Sequence, residues 1–385
     1  MHIKTRVLAA VALAAAVPQL LRAADAPAPT APAGPTLKDV LSTSGIDLHG
    51  YIDAAYSYLS GSGLFTSGVA DRVFDTEPDS FNLHQAALTI DYLPKDGFGG
   101  LVNLTAGRDA RIIQSAGESS SNFDVTQAFA QYAHGPLTII GGKFVTLAGA
   151  EVITSTADTN YSRSILFGYA IPFSHTGARL TYAVSDRVSL IAGVNNGWDQ
   201  LQDQNTQKTG ELALAYVPNK TFALTVQGYS GVENTSATTS GRRDLIDAVG
   251  TYNATSQLTL ILNVDWADQE NVASLVNGAN IKAQWDGAAL YANYQVSDPW
   301  AVSLRGEYFD DKDGYRTGVI QKWKEGTVTL RYTPNANFEV RAEGRYDGTD
   351  GSNFVDNAAA FIVSGGAAGA KDNGFSLGLE AIAKF

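Results

Sequence analysis

Seven times in this sequence a tyrosine closes a run of alternating apolar residues and a short polar turn follows: Tyr92, Tyr132, Tyr182, Tyr216, Tyr252, Tyr294 and Tyr332. After six of them the residue six places on is apolar and opens the next run: Phe98, Val188, Phe222, Leu258, Trp300 and Phe338. Tyr132 differs, because Leu137 follows the turn His134-Gly135-Pro136. An eighth run alternates from Phe375 to Phe385. A period of two sends successive side chains to opposite faces of a strand. Hairpins sharing one aromatic-rimmed edge are the pattern of a transmembrane β-barrel, with its aromatic girdle at a membrane interface. A soluble all-β repeat protein such as a propeller is the competing architecture.

The beginning of the chain points to export. Lys4 and Arg6 precede an apolar stretch, Val7 to Val17, that is too short to span a bilayer, and small residues surround Ala23. Residues 1–23 therefore read as a signal peptide, and residues 24–45 as an Ala/Pro-rich linker with a short helical turn at Leu37 to Leu41. The barrel is expected over 46–385. Loss of Lys4, Arg6 and Arg22 takes the net charge from −12 to about −15, which argues against nucleic acid as a partner. With no cysteine, disulfides and thiol chemistry are excluded. Continuous apolar runs of 18 residues are absent, so helices are not the spanning elements.

From Ile46 onward sixteen alternating segments follow in hairpin order, giving an all-β, up-and-down antiparallel barrel of about 16 strands. Outward sets include Leu48/Ile52, Ile140/Phe144, Leu258/Leu260/Leu262 and Val302/Leu304, whereas Asn103, Asn263, Ser303, Arg341 and Glu343 point inward. Arginine is expected to be costly at Leu262 or Leu304 and tolerated at Asn263 or Ser303. A polar inner face in a ring this wide implies a water-filled lumen rather than a packed core. Connections at the tyrosine edge are short turns with breakers, such as Pro94-Lys95-Asp96-Gly97. Those at the other edge are long, at roughly 59–80, 147–175, 231–242, 267–282, 310–325 and 347–373. Short periplasmic turns and long external loops are the asymmetry of an outer-membrane barrel.

Several blocks resemble the OmpL-like putative beta-barrel porin family. They are Ser44 to Tyr56, Gly142-Lys143-Phe144, Asn160 to Ser164 through Pro172 to Arg179, and Gly193 to Asp199. The resemblance implies a porin integral to the outer membrane of a Gram-negative bacterium, in contact with lipid and lipopolysaccharide. It brings no catalytic residue, cofactor or defined substrate with it. It also implies that the third external loop, about residues 147–175, folds into the barrel and narrows it.

That loop carries Glu151, Asp158, Arg163 and His175, and in a sixteen-strand ring it faces a wall bearing Arg305, Arg331, Arg341 and Arg345. Acids on the loop opposite arginines on the wall would set a transverse field across the narrowest section. Alternatively Glu339, Arg341, Glu343 and Arg345, all on one face of one strand, neutralise each other along the wall. Lys143 and Arg179 complete the set of candidate pore-lining charges.

Catalysis has little support. Ser174-His175 are sequence neighbours in a turn, and a nucleophile with its base needs a third orienting group. Asp310-Asp311-Lys312-Asp313-Gly314 and Asp347-Gly348-Thr349-Asp350-Gly351 resemble calcium loops. Gln321 and Ala358 stand where an EF-hand has its acidic twelfth residue, so the runs read as solvated turns and no metal is expected. Tyr51, Tyr291 and Trp285 are scattered inward aromatics that would favour a solute-selective channel. A non-conducting barrel serving as adhesin or receptor is a further class. Small outward residues on the first five strands, Gly50, Ala54, Ala86, Ala106, Ala128, Ala130 and Gly142, suggest the contact face of a homotrimer.

Overall fold

In hydrocarbon every backbone N–H and C=O must find a partner inside the protein, and a sheet achieves this only by closing on itself. The computed structural model describes residues 41, 43–60, 72–77, 79–118, 121–236, 239–350, 354–355 and 370–385. The expected leader and nearly all of the linker lie outside the described residues. From there on each alternating run is a strand. The first eight are β1 (Asp47–Leu59), β2 (Ser80–Tyr92), β3 (Gly97–Ala106), β4 (Phe123–His134), β5 (Leu137–Val145), β6 (Ser174–Ser185), β7 (Val188–Asn195) and β8 (Thr209–Tyr216). Next come β9 (Phe222–Asn234), β10 (Ser240–Asn253), β11 (Leu258–Ala273), β12 (Asn280–Ser297), β13 (Trp300–Asp311), β14 (Gln321–Asn335) and β15 (Phe338–Thr349). A two-stranded ribbon of β16 (Phe354–Val355) and β17 (Ala370–Lys371) precedes β18 (Asn373–Lys384).

Sixteen of these strands form one closed antiparallel barrel in which each pairs with its sequence neighbours and β18 returns to β1. The seven edge tyrosines are all exposed on its outer face, at the end with the short turns. The loops expected at 231–242 and 267–282 are largely strand instead. β11 and β12 run for 16 and 18 residues, longer than the 9–11 residues or so that cross a bilayer, and polar residues continue the ladder beyond it. Conversely, 107–122 and 196–208 are connections of substantial length, the first holding the short helix α1 (Ala110–Ile113).

The face assignment fails on β5. Ile139 rather than Ile140 is exposed there, and Phe144 is only 1% exposed. Gly142 has φ of 139°, a left-handed value open to glycine, and the turn it introduces breaks the alternation so that Lys143 and Phe144 are both buried.

The seam closes through a reciprocal pair: Gly50 donates its N–H to Phe385 O and Phe385 donates to Gly50 O, both at 2.9 Å. The Phe385 ring lies over Gly50, where an added Cβ would sit 2.8 Å from the ring and 2.5 Å from Ala87 O. Gly50 is therefore covered and does not belong to the open face of small residues. Gly50→Val is expected to destabilise the barrel by about 1–3 kcal/mol through overpacking. Heat-dependent gel mobility of the folded barrel measures this, and unchanged mobility temperatures would mean the seam adjusts freely.

The lumen is only partly polar. Inward Trp285, Phe309 and Trp323 on β12–β14 pack with Ile165, Phe167 and Ile171 of the β5–β6 connection in one buried cluster. A packed core therefore occupies one side of the interior, where sequence alternation implied only water.

Candidate functional site

The β5–β6 connection, residues 146–173 (loop 3), has no alternating pattern and contains only a 3-10 turn at Ser155–Ala157 and a π-helical turn at Leu166–Ala170. Irregular backbone that is buried must still pair its amides. Here carboxylates and amides of the wall accept them. Tyr161 and Ser162 donate their N–H groups to Glu343 at 2.7 and 2.9 Å, Ile165 donates to Glu307 at 2.9 Å, and Ala150 donates to Asn263 at 3.0 Å. Arginines satisfy the carbonyls: Arg341 donates to Asn160 O and Ser155 O, and Arg305 to Ser162 O at 2.6 Å. Loop 3 thus bonds to the inner wall at β11, β13 and β15.

Glu151 of the loop reaches Arg305 at 2.8 Å, and Arg305 also meets Glu325 at 3.0 Å and Glu307 at 3.2 Å. Asp158 does not face the wall arginines. It pairs with Arg163 in its own loop and accepts the Val152 N–H. Arg341 pairs with Glu339 and Glu380, and Arg345 with Asp347 and Asp75. Away from that wall, Arg179 holds Glu211, and Lys143 holds Glu118 and Asp124. Arg331 makes no ion pair among the described residues and is half-buried. One arginine therefore bridges loop to wall while Arg341 and Arg345 are mainly neutralised along it. Buried charges like these must be paired, because an unpaired one costs several kcal/mol.

Two groups escaped the sequence reading. The first is Arg72 with Asp75, from the loop after β1. Arg72 donates to Asp347 at 2.6 Å and to Arg163 O at 2.9 Å, and Phe74 packs on Phe167 and Phe173. Burial alone would raise the Asp75 pKa, but the Arg345 guanidinium beside it holds it below the ordinary carboxylate value. The signal available was Arg72-Val73-Phe74-Asp75, an apolar pair between opposite charges. The second is His84, which occupies a bulge in β2 where pairing shifts against Asp53 and Ala54. Its Nδ1 contacts Asp109 at 3.1 Å and its Nε2 contacts the Tyr161 hydroxyl at 3.2 Å.

Tyr161, whose phenol is kept protonated by burial, lays its ring on Gly378 of β18. A Cβ at Gly378 would approach that ring to 2.3 Å. Gly378→Leu should therefore unseat the tip of loop 3 and enlarge single-channel conductance at unchanged barrel yield. An unaltered conductance step would mean the tip carries no part of the restriction.

Other candidates resolve into structure. His175 is fully buried, stacked on Tyr229 at 4.8 Å, with Nδ1 near Gly197 O, while Ser174 Oγ meets Ser115 Oγ. They form no dyad. Tyr51, Tyr291 and Trp285 contact loop 3: Trp285 donates to Ala170 O at 3.0 Å, and Tyr51 and Tyr291 contact Ser155 and Glu151. Asn263 is 2% exposed beneath loop 3 and Ser303 is likewise buried, so neither has room for arginine. The acidic runs are partly built in rather than solvated. Asp311 accepts N–H groups from Arg316 and Thr317, and Asp347 holds Arg72 and Arg345.

Over residues 45–385 the sequence matches the family described as "Putative beta-barrel porin-2, OmpL-like". The chain belongs to this family. Solved structures of similar fold include the anion-selective porin from Comamonas acidovorans, with 11% identity, a TM-score of 0.63, and coverage of 88% of this chain and 99% of that one. The outer membrane channel DcaP of Acinetobacter baumannii has 13% identity and a TM-score of 0.61, over 88% and 97%. OmpT of Vibrio cholerae in its trimer form has 13% identity and a TM-score of 0.59, over 88% and 99%. No curated protein matches the sequence. At these identities the likeness is one of fold. Family and fold together make this an integral outer-membrane channel protein.

Proposed function

We propose that this porin passes small hydrophilic solutes by passive diffusion, without cofactor, through a lumen narrowed by loop 3. The observation that carries this reading is the Glu151–Arg305 bridge with the Glu343 and Arg341 bonds, which seat the loop on the wall. The residues proposed to shape the narrow section are Lys143, Glu151, Asp158, Arg163, Arg179, Arg305, Arg331, Arg341 and Arg345. Residues 1–23 would direct export and leave, with 24–45 as a linker before the barrel. A homotrimer through Ala54, Ala86, Ala106, Ala128 and Ala130 is supported by the trimer form of OmpT. Bulky residues at Ala106 and Ala128 should convert a detergent-solubilised trimer to monomer. Lipid and lipopolysaccharide would surround the outer face.

Reversal potentials in planar bilayers under a salt gradient test the channel reading. Neutralising Arg305 and Arg341 should raise cation preference, and neutralising Glu151 and Asp158 should move it the other way. Both shifts should shrink at molar salt, where the Debye length is about 3 Å. Absence of any conductance would reject the function itself. Unchanged selectivity in conducting variants would move the constriction elsewhere.

A further inference from the structure

Almost every buried arginine in the barrel is matched to acid, whereas at the long-loop end buried Arg243 and half-buried Arg316 are not. Arg243 lies near the start of β10, and Arg316 lies in the connection after β13. Neither has a carboxylate within ion-pair distance among the described residues, whereas Arg72, Arg163, Arg179, Arg305, Arg341 and Arg345 each do. The acids nearby are engaged by neutral donors. Glu233 accepts from the Trp198 N–H and Thr209 Oγ1, Asp199 from the Phe173 and Ser174 N–H groups, and Asp311 from the Arg316 and Thr317 N–H groups.

The two guanidinium groups share one aromatic bed. Arg243 lies 4.8 Å from the Trp198 ring centre and 5.7 Å from that of Tyr315. Arg316 lies 5.6 Å from Trp198 and 5.3 Å from Trp285. Such stacking fixes the planes of the guanidinium forks while leaving their edges free. Arg243 uses Nε on Gln269 and Nη2 on the Tyr315 hydroxyl, and Arg316 uses Nε on Tyr169 O. Arg243 Nη1 and both Nη atoms of Arg316 make no hydrogen bond, and none of the three is among the sealed polar atoms left without a partner. These donors therefore open onto accessible space. The indole Nε1 of buried Trp198 also lacks a partner. Burial, and then the neighbouring Arg243 charge, pull Arg316 down to about 10. It stays cationic at neutral pH, with Asp311 and Asp199 opposing that pull and an incoming anion able to add to them.

We propose that Arg243 and Arg316, on the bed of Trp198, Trp285 and Tyr315, form a subsite that captures a small organic carboxylate at the long-loop mouth. Paired guanidinium forks match the planar carboxylate bidentately, and the aromatic bed accepts an apolar body attached to it. The proposal rests on the channel reading for its purpose, since captured solute would then enter the lumen, but its chemistry stands on the site alone.

The test uses the full-length detergent-solubilised barrel, with benzoate as probe, acetate as the carboxylate without a ring, and benzamide as the uncharged counterpart. Calorimetric titration at low salt should show benzoate binding best, acetate more weakly and benzamide not at all. Arg243→Gln or Arg316→Gln should weaken benzoate by about tenfold or more, the loss expected for a charge-assisted contact. Arg243→Lys and Arg316→Lys keep the charge, and they separate loss of the fork from loss of fold. Wild-type protein that binds benzoate and benzamide alike, or neither, overturns the subsite without recourse to any variant. Benzoate binding that survives both glutamine substitutions overturns it as well. Conductance of the same preparation in bilayers keeps the two ideas apart. A conducting barrel that ignores benzoate remains a porin without this subsite, and a binding barrel that does not conduct keeps the subsite and loses the porin reading.

Discussion

Replacing Arg305 with leucine should destabilise the protein by about 3–5 kcal/mol, the cost of leaving buried charge without its counter-ion. The side chain is fully buried and serves three carboxylates at once, those of Glu151, Glu307 and Glu325. It also donates to the carbonyl and hydroxyl of Ser162. Leucine removes all of these: Glu151 loses its counter-ion, and Glu307 and Glu325 keep only the longer contacts to Arg72 at 3.6 and 3.8 Å, so the loss spreads from the wall into loop 3. Urea unfolding in detergent, read by tryptophan fluorescence and by gel mobility, gives the number. Arg331→Leu is the matched control: it is half-buried and unpaired among the described residues, and should stay within about 0.5 kcal/mol of wild type. Similar losses at both positions would mean that burial of the arginine stem, and not the charge network, accounts for the effect.

Arginine at Leu262 or Leu304 should cost about 2–4 kcal/mol, as expected for a cation placed on the lipid face near the bilayer midplane. The two leucines are 48% and 49% exposed on β11 and β13, and in a membrane that exposure is to acyl chains. Asn263→Arg provides a contrast of mechanism. Asn263 donates to Asp247 and accepts the Ala150 N–H, so its replacement should disturb loop 3 and conductance first. Thinner-chain lipids should relieve the penalty at Leu262 and leave that at Asn263 unchanged. Equal response of both to bilayer thickness would contradict the face assignment.

The barrel was legible because a two-residue period is a local signal repeated in every strand. Each tyrosine edge, from Tyr92 to Tyr332, and the strand order followed from it. Where the sequence misled, a single backbone event intervened. At Gly142 a positive φ breaks the alternation and buries Phe144, and at His84 a bulge lets a polar side chain turn toward Asp109. The interior was harder to read for another reason. Trp285, Phe309 and Trp323 alternate correctly, but what covers them is Ile165 to Ile171, remote in sequence and without periodicity. Of the candidate charges, Glu151 meets Arg305 between loop and wall. Asp158 turned to Arg163 because a neighbour five residues away in the same loop is in easier reach than the wall. Arg72 and Asp75 belong to a segment whose composition resembles any surface loop.

The bonds that seat loop 3 have a consequence for how the molecule is made. Glu307, Arg341 and Glu343 come 142, 186 and 182 residues after the loop groups they hold. Contacts between such distant positions carry a large closure entropy and form late. Tyr51, Arg72, His84 and Gln85 of the early half also touch the loop, but the amides of Tyr161, Ser162 and Ile165 keep water until β13 and β15 have joined the sheet. Assembly should pass through a hollow cylinder that fills afterwards. Refolding into lipid should accordingly show strand formation first, and burial of Trp285 and Trp323 as a separate, slower phase.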